Sequence, residues 1–177
     1  MCIRDSYHYV RDKDRLLIEI AEGHVAKLNA LVDKVRQQPL APEARVRRLI
    51  EAFLDVYADS QPAHRVLTED VKFLQDADRE RVLDAQRAVV AAFADAVAAA
   101  RPDLRHTDLL KPLTMLLFGM MNWMFTWLQP DGRLTHTAMA PVVADLFFGG
   151  LHAVQVAEPL APGVRLRARP KAKASAA

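Results

Sequence analysis

Apolar residues recur at helical spacing along most of the chain. In the first such segment Leu17, Ile20 and Leu28 fall on one face of a helix, because they are three and eight residues apart. Pro, Asp and Gly residues interrupt this pattern at intervals, and no alternating strand pattern stands between them. The predicted helices are residues 12–37, 43–60, 64–74, 76–100, 107–128 and 135–156. The sequence therefore predicts an all-α fold, a helical bundle.

Composition narrows the class of protein. The chain has 177 residues, of which 51% are hydrophobic, and this is enough for one or two modest domains. The single cysteine, Cys2, excludes a disulfide framework and a zinc site of four thiolates within one chain. No apolar leader opens the sequence, so we expect no signal peptide.

The formal net charge of +2 includes a basic tail. The segment after Glu158 holds five Lys and Arg residues and no acid, so the rest of the chain carries −3 and shows no broad nucleic-acid footprint. The composition of residues 158–177 is typical of a disordered segment. Two interpretations of this tail remain open: contact with DNA or acidic lipid, and a solvated tail without function.

The stretch SYHYVRDKD near the N-terminus has the pattern of one helix ending, a tight turn and a second helix that begins with Asp12 as its N-cap. Tyr7 is followed two positions on by Tyr9, then by Lys13 and a Leu pair at 16–17. This order resembles the junction between the recognition helix and the fourth helix of TetR/AcrR-type transcriptional regulators. The downstream order of helices, with two long final ones, is similar to the ligand-binding and dimerisation domain of that family.

The resemblance implies a DNA-contacting role for part of this stretch. Tyr hydroxyls and a Lys at a helix N-terminus suit phosphate binding, and the phosphate contacts are expected from Tyr7, His8 and Lys13. Tyr9 is expected to pack beneath the first long helix instead. Such contacts position a recognition helix on DNA without reading its sequence.

The segments that precede this junction in the family are not recognisable here. Residues 1–6, MCIRDS, resemble translated adaptor sequence, so we expect them to be a non-native leader. Residues 7–15 are then the remnant of a truncated helix-turn-helix and the start of the connecting helix. Residues 16–157 are expected to form the ligand-binding and dimerisation domain.

The family resemblance implies a cytoplasmic, ligand-responsive repressor whose intact form binds operator DNA as a homodimer. The ligand changes the spacing of the two recognition helices. This chain is expected to retain ligand sensing and dimerisation only. The alternative is a free-standing dimeric helical protein that binds a ligand or another protein without binding DNA.

The most apolar segment, residues 109–132, predicts a buried helix. It is too short and too interrupted to span a bilayer, which needs about 20 apolar residues. Its four Met residues are adaptable, and its two Trp residues are i,i+4 neighbours. Two interpretations remain open: a ligand pocket, and a Met-rich core helix with its Asn bonded internally. The predicted pocket residues are Phe93, Met115, Phe118, Asn122, Trp123 and Trp127.

The run from Phe118 to Trp127, with the Pro-Asp-Gly that follows, looks like a subgroup of the family that controls lipid, steroid or aromatic-acid catabolism. Members of that subgroup often respond to acyl-CoA thioesters. The resemblance therefore implies a small apolar ligand, with an acyl-CoA thioester as the candidate. The phosphates of CoA need cations, and those available are Arg47, Arg48, Arg65 and Arg87.

The last helix predicts a dimer face. Two consecutive glycines, Gly149 and Gly150, each cost about 1 kcal/mol against Ala in a helix, and they permit close approach of another helix. The alternative is that they end the helix early. By resemblance to the family's four-helix dimer interface, the predicted contacts are Phe147, Gly150, Leu151 and Val154.

The sequence contains no catalytic constellation. Its six histidines are scattered without metal-ligand spacing, and it has no Gly-rich phosphate loop and no nucleophile motif. We expect no enzyme activity, no metal and no cofactor. Membrane association, suggested only by the apolar helix and the basic tail, is the remaining rival.

Overall fold

The structure, a computed structural model, describes residues 3–128 and 132–156, with side chains from residue 14 onward. Within these ranges it contains helices and turns but no strand. The six α-helices are α1 (Ile3–Arg36), α2 (Pro42–Asp59), α3 (Gln61–Arg65), α4 (Asp76–Ala100), α5 (Leu110–Asn122) and α6 (His136–Ala153). The predicted all-α fold is confirmed. No helix in the described ranges is long and apolar enough to cross a membrane.

Helices α2 and α4 lie at the centre of the bundle. α2 packs against α1, α4 and α6, and α4 packs against α1, α2 and α5. The ring centroid of Phe93 on α4 lies 4.8 Å from that of Phe53 on α2 and 4.8 Å from that of Phe118 on α5. All three rings are buried. This cluster therefore joins three helices through apolar burial and tilted ring contacts.

The first helix is longer than the pattern predicts. α1 runs without a break from Ile3 to Arg36, so the predicted turn within SYHYVRDKD and the predicted N-cap at Asp12 are wrong. The physical reason is that neither Gly nor Pro occurs before Gly23, so no residue of the segment interrupts the helix. The phosphate contacts predicted from Tyr7, His8 and Lys13 involve side chains that lie outside the described residues.

The C-terminus of α1 is capped by an arginine of the next helix. The guanidinium of Arg45 donates hydrogen bonds to the carbonyl oxygens of Val35 (3.0 Å), Arg36 (2.9 Å), Gln38 (3.1 Å) and Leu40 (3.3 Å). The last carbonyls of a helix have no intrahelical partner, and Arg45 supplies one. The same four bonds hold the turn between α1 and α2.

The segment after α2 is helical but irregular. α3 has Pro62 in its first turn, where proline is favoured. It continues into a π-helical turn at Val66–Asp70 and a 3-10 turn at Val71–Phe73. The pattern predicts a single helix over residues 64–74, whereas the backbone winding changes twice across it. Single π-helical turns occur frequently at functional sites.

The bounds of the last three helices are close to the predicted ones. α4 coincides with the predicted 76–100. α5 is shorter than the predicted 107–128, because its backbone tightens into a 3-10 turn at Trp123–Thr126. α6 is capped by Thr135, whose Oγ1 accepts a hydrogen bond from the backbone N of Ala138 at 3.1 Å.

Candidate ligand-binding site

A cavity of about 160 Å³ lies between α1, α2, α4, α5 and the irregular segment that follows α2. Aliphatic and aromatic side chains form most of its wall, and a small number of polar groups point into it. The lining residues are Val25, Leu28, Tyr57, His64, Leu67, Thr68, Gln86, Val89, Val90, Met115, Phe118 and Asn122. An apolar wall with a few convergent polar groups is the usual composition of a small-molecule site.

Two polar side chains of the wall are bonded to each other. The hydroxyl of Tyr57 on α2 donates a hydrogen bond of 3.0 Å to Oδ1 of Asn122 at the end of α5. Burial raises the pKa of the Tyr57 hydroxyl, so it stays protonated and remains the donor. The bond ties α5 to α2 beside the cavity. Asn122 thus has an internal partner and also lines the cavity.

A pair of buried histidines lies next to this bond. The ring of His64, on α3, stacks on that of Tyr57 with centroids 3.6 Å apart, and the ring of His24, on α1, is 5.6 Å from His64. His64 is 2% exposed and His24 4% exposed. Among the described residues, neither ring nitrogen of His64 has a hydrogen-bond partner, and neither does Nε2 of His24. Buried polar atoms without a partner are rare in native proteins.

Both rings are neutral at physiological pH. The pKa of His64 is lowered to about 3, mainly by burial and to a smaller extent by the neighbouring histidines His24 and His136. Burial lowers the pKa of His24 to about 4, with a smaller contribution from the charge of Lys27. A neutral imidazole offers one donor and one acceptor. No group of three His, Cys, Asp or Glu side chains in the described part of the chain is placed to hold a metal ion.

An open groove of about 550 Å³ adjoins the cavity. The two share Leu67, Thr68, Gln86 and Asn122 in their walls. Beyond these shared residues the groove carries charge, which the cavity wall does not. Its charged lining residues are Glu69, Lys72 and Arg79.

A second apolar surface lies on the outside of the bundle, between α5 and α6. We call it the outer face. Its most exposed members are Leu116, Trp123 and Leu146, with 65%, 66% and 66% of their surfaces accessible. The outer face is lined by Leu116, Gly119, Met120, Trp123, Met124, Trp127, Met139, Val142, Val143 and Leu146. Large exposed apolar patches of this kind mark interaction surfaces.

Helix α5 borders both the cavity and the outer face. Met115 and Asn122 line the cavity, whereas Leu116, which follows Met115, lines the outer face. Trp123, in the 3-10 turn after α5, lines both the outer face and the groove beside the cavity. Consecutive residues of a helix point about 100° apart, which places Met115 and Leu116 on different sides of α5.

A comparison with models of protein families identifies the family to which this chain belongs. A family model described as "Tetracyclin repressor-like, C-terminal domain" matches residues 39–151. The chain belongs to the TetR family. The matched part of this TetR-family chain includes α2 to α5 and most of α6, and with them Tyr57, His64 and Asn122.

Solved structures agree with the family assignment. A TetR-family transcriptional regulator from Bordetella parapertussis is 30% identical, with a TM-score of 0.76 over 87% of this chain and 81% of that one. PfmR from Thermus thermophilus is 20% identical, with a TM-score of 0.69 over 83% and 81%. AibR, solved with isovaleryl coenzyme A and operator DNA, is 21% identical, with a TM-score of 0.65 over 79% and 77%. The last two likenesses establish the fold alone. No curated protein sequence matches the chain.

Three of the six predicted pocket residues of this TetR-family chain line the cavity: Met115, Phe118 and Asn122. Phe93 is fully buried behind Phe118, in the aromatic cluster rather than in the cavity wall. Neither tryptophan lines the cavity, so the two rings do not flank a ligand bound there. Trp123 and Trp127 are more than half exposed, and both line the outer face.

The predicted dimer contacts separate into different environments. Phe147 and Leu151 are 5% and 2% exposed, and they belong to the core of the subunit rather than to an open face. Val154 is half-buried and lies just beyond the end of α6. Of the four, only Gly150 is exposed, and a Cβ added there meets nothing within 4 Å. Gly149 and Gly150 lie within α6, so the alternative that they end it early is wrong.

The four arginines proposed for CoA phosphates do not converge. Each forms an ion pair with a nearby carboxylate, and none lines the cavity or the groove beside it. The pairs are Arg47 with Asp145 and Glu43, Arg48 with Glu51, Arg65 with Glu69, and Arg87 with Asp84 and Glu80.

Sequence reasoning missed two groups of the cavity wall. The sequence pattern assigns no role in a site to Tyr57 or to His64. Tyr57 contributes one hydroxyl, at a position where helical periodicity predicts a buried core residue, and His64 contributes one imidazole ring. His64 lies two residues after Pro62, between Ala63 and Arg65, and this local sequence gives no signal of its burial.

Proposed function

We propose that this TetR-family protein is a cytoplasmic, ligand-responsive transcriptional repressor whose operator-binding form is a homodimer. The observation that carries the proposal is the cavity, with a buried His64 whose ring nitrogens have no partner among the described residues. Leaving a buried polar group unpaired costs about 1–3 kcal/mol. A ligand that forms a hydrogen bond with His64 offsets this cost, which gives the unpaired ring a role in ligand binding.

The route from the cavity to DNA runs along α1. Val25 and Leu28 line the cavity, and the helix continues unbroken toward the N-terminus. At about 1.5 Å per residue, Tyr7 lies about 27 Å along the helix from Val25. A ligand that tilts α1 therefore moves the N-terminal end more than the cavity wall. We assign the DNA phosphate contacts to Tyr7, His8 and Lys13 at that end.

Switching requires that the ligand prefer one state of the protein. A ligand with equal affinity for the DNA-bound and the free conformation changes nothing, however tightly it binds. In the proposed repressor the ligand prefers the conformation in which the two N-terminal ends of α1 are wrongly spaced for the operator.

Operator reading needs a recognition helix in the major groove and a partner helix that holds it there. Residues 16–157 are the proposed sensing domain. Independent sequencing of the source DNA shows whether the codons upstream of Tyr7 encode such a pair of helices. An in-frame extension of roughly 40 residues with a helix-turn-helix pattern supports the proposal. A genuine stop and start codon before Met1 rejects operator binding for this chain.

We assign the homodimer contact to the outer face. The patch is apolar and exposed, and Gly119 within it leaves room for a second helix to approach closely. Gly149 and Gly150, three and four residues after Leu146 on α6, leave similar room beside the patch. Leu146→Glu places a charge in its centre and is expected to give monomers in light scattering. Ala138→Glu adds the same charge at an exposed position of α6 outside the patch and is the matched control. A dimer that persists in the Leu146 variant rejects this interface.

The proposed ligand is a small apolar molecule, with an acyl-CoA thioester as the leading candidate. AibR is bound to such a molecule, and the resemblance of the Phe118–Trp127 run to the acyl-CoA-responsive subgroup points the same way. The four arginines considered from the sequence are occupied elsewhere. In the proposed complex the phosphates lie along the groove beside the cavity, near Lys72. Arg79 lines the same groove and is paired with Asp76 at 2.9 Å, so a phosphate competes with that carboxylate for it.

Ligand response is tested by operator retention in gel-shift assays with the helix-turn-helix restored and isovaleryl-CoA titrated in. The wild-type protein is expected to release the operator. Val90→Phe fills the cavity and is expected to bind the operator without responding. Ala91→Phe adds the same ring on the solvent side of α4 and is the control, which keeps the response. Equal responses in both variants place the ligand site outside the cavity.

A further inference from the structure

The cavity differs in charge from the groove beside it, and this difference bears on the chemical class of the ligand. The residues described as lining the cavity include no Lys, Arg, Asp or Glu. The groove carries Lys72, Arg79 and Glu69. A molecule that occupies both spaces therefore meets an uncharged end and a charged end.

The size of the cavity limits what the uncharged end holds. A cavity of about 150 Å³ admits a benzene-sized molecule, and this one has about 160 Å³. Its apolar wall, formed largely by aliphatic side chains such as Val89, Val90 and Leu28, suits a compact hydrocarbon group. A long chain or a nucleotide does not fit.

The polar groups of the wall favour a neutral ligand over an anion. His64 is neutral and the Tyr57 hydroxyl is committed to Asn122, so no full positive charge faces the cavity from the described residues. A carboxylate placed there loses its hydration without gaining a countercharge, which is strongly unfavourable. A carbonyl oxygen loses less, and the N–H of the His64 imidazole is available to donate to it.

We propose that the cavity binds a compact, uncharged acyl group whose carbonyl oxygen accepts a hydrogen bond from His64, and that it excludes the corresponding free carboxylate. This inference rests on the ligand-sensing function proposed above and specifies its ligand class as short-chain acyl thioesters. The remainder of the thioester leaves past Thr68 and Asn122, which line both spaces, toward Lys72 and Arg79.

The proposal is tested by calorimetric titration of the full chain with three probes. S-isovaleryl-N-acetylcysteamine presents the acyl thioester without a nucleotide. Isovaleramide and isovalerate are matched in size and differ in charge. We expect the thioester to bind, and the amide to displace it at concentrations at least tenfold lower than the acid. Equal or stronger displacement by isovalerate overturns the proposal.

A variant separates the role of His64 from simple cavity filling. His64→Phe keeps a ring of similar size but removes both nitrogens, and we expect at least a tenfold loss of thioester affinity. We expect no loss of folding stability at pH 7.5, because the variant removes two buried nitrogens that have no partner among the described residues. His106→Phe, at an exposed position outside the cavity, is the control. Unchanged affinity in the His64 variant overturns the hydrogen bond to His64. If that variant does not fold, the comparison of amide and acid on the wild-type protein still decides the charge selection.

The two proposals fail in different ways. Thioester binding that depends on His64 but leaves operator retention unchanged rejects the repressor function and keeps the ligand class. Operator release driven by isovalerate rejects the ligand class and keeps the repressor function. No binding by any of the three probes overturns the ligand class.

Discussion

The burial of His64 predicts that the protein loses stability under mildly acidic conditions. The pKa of its ring is lowered to about 3 in the folded protein, from an unfolded value of 6.5. Below pH 6.5 the unfolded chain binds a proton at this position and the folded chain does not. Unfolding is therefore favoured as the pH falls, and the effect continues until the pH reaches the folded pKa.

The magnitude follows from the size of the window. Each pH unit below the unfolded pKa costs about 1.4 kcal/mol while the folded ring stays neutral. Between pH 7.5 and pH 5.0 the ring of His64 therefore accounts for a loss of about 2 kcal/mol. His24, with a pKa of about 4, acts in the same direction. The two effects are not simply additive, because the rings are 5.6 Å apart and protonation of one opposes protonation of the other.

Urea denaturation followed by circular dichroism at pH 7.5, 6.5 and 5.0 measures this loss. In His64→Phe the ring cannot be protonated, so the free energy of unfolding should fall by about 2 kcal/mol less than in the wild type over this range. The exposed-site variant His106→Phe should follow the wild type. If His64→Phe and the wild type lose the same stability between pH 7.5 and 5.0, then His64 is not buried and neutral as described.

Three further substitutions test the contacts that position the site. Arg45→Ala removes the cap on the C-terminus of α1 and should lower the free energy of unfolding by about 2–3 kcal/mol; a loss under about 0.5 kcal/mol contradicts the capping role. Tyr57→Phe leaves Oδ1 of Asn122 without its donor and should cost about 1–2 kcal/mol in urea denaturation, and an unchanged midpoint argues against the bond. Thr135→Ala removes the N-cap of α6 and should cost about 1 kcal/mol, whereas Thr135→Ser should retain most of the stability.

Much of the fold could be predicted from local signals. α4 has the bounds that the sequence predicts, because an acidic first turn and Pro102 mark its two ends. At α1 the motif resemblance predicts a turn, whereas the absence of any helix breaker before Gly23 allows the single continuous helix that the structure contains. Where the two kinds of signal disagree, the backbone follows the stereochemistry of the residues present.

The cavity could be predicted only in part. Met115, Phe118 and Asn122 lie on one helix, so their common face is visible from spacing alone. The bond from Tyr57 to Asn122 joins residues 65 positions apart, and no local pattern indicates such a pairing. The stacking of His64 on Tyr57 likewise depends on where α3 turns after α2, which tertiary packing decides.

The outer side of α6 shows a limit of hydrophobic periodicity. This helix is apolar on two sides, so its pattern does not indicate which side the subunit buries. Phe147 and Leu151 lie in the core, while Val142 and Leu146 remain exposed. Length and bulk do not distinguish these two sets. The packing of α6 against α2 and α5 decides between them.

The position of α5, with the cavity on one side and the outer face on the other, has a thermodynamic consequence. If two copies associate through the outer face, ligand binding and dimer formation share one helix and are coupled. If the ligand changes the dimer dissociation constant by some factor, then dimerisation changes the ligand dissociation constant by the same factor. The apparent ligand affinity then depends on the protein concentration at which it is measured. A substitution at Asn122 or Trp123 changes both constants together.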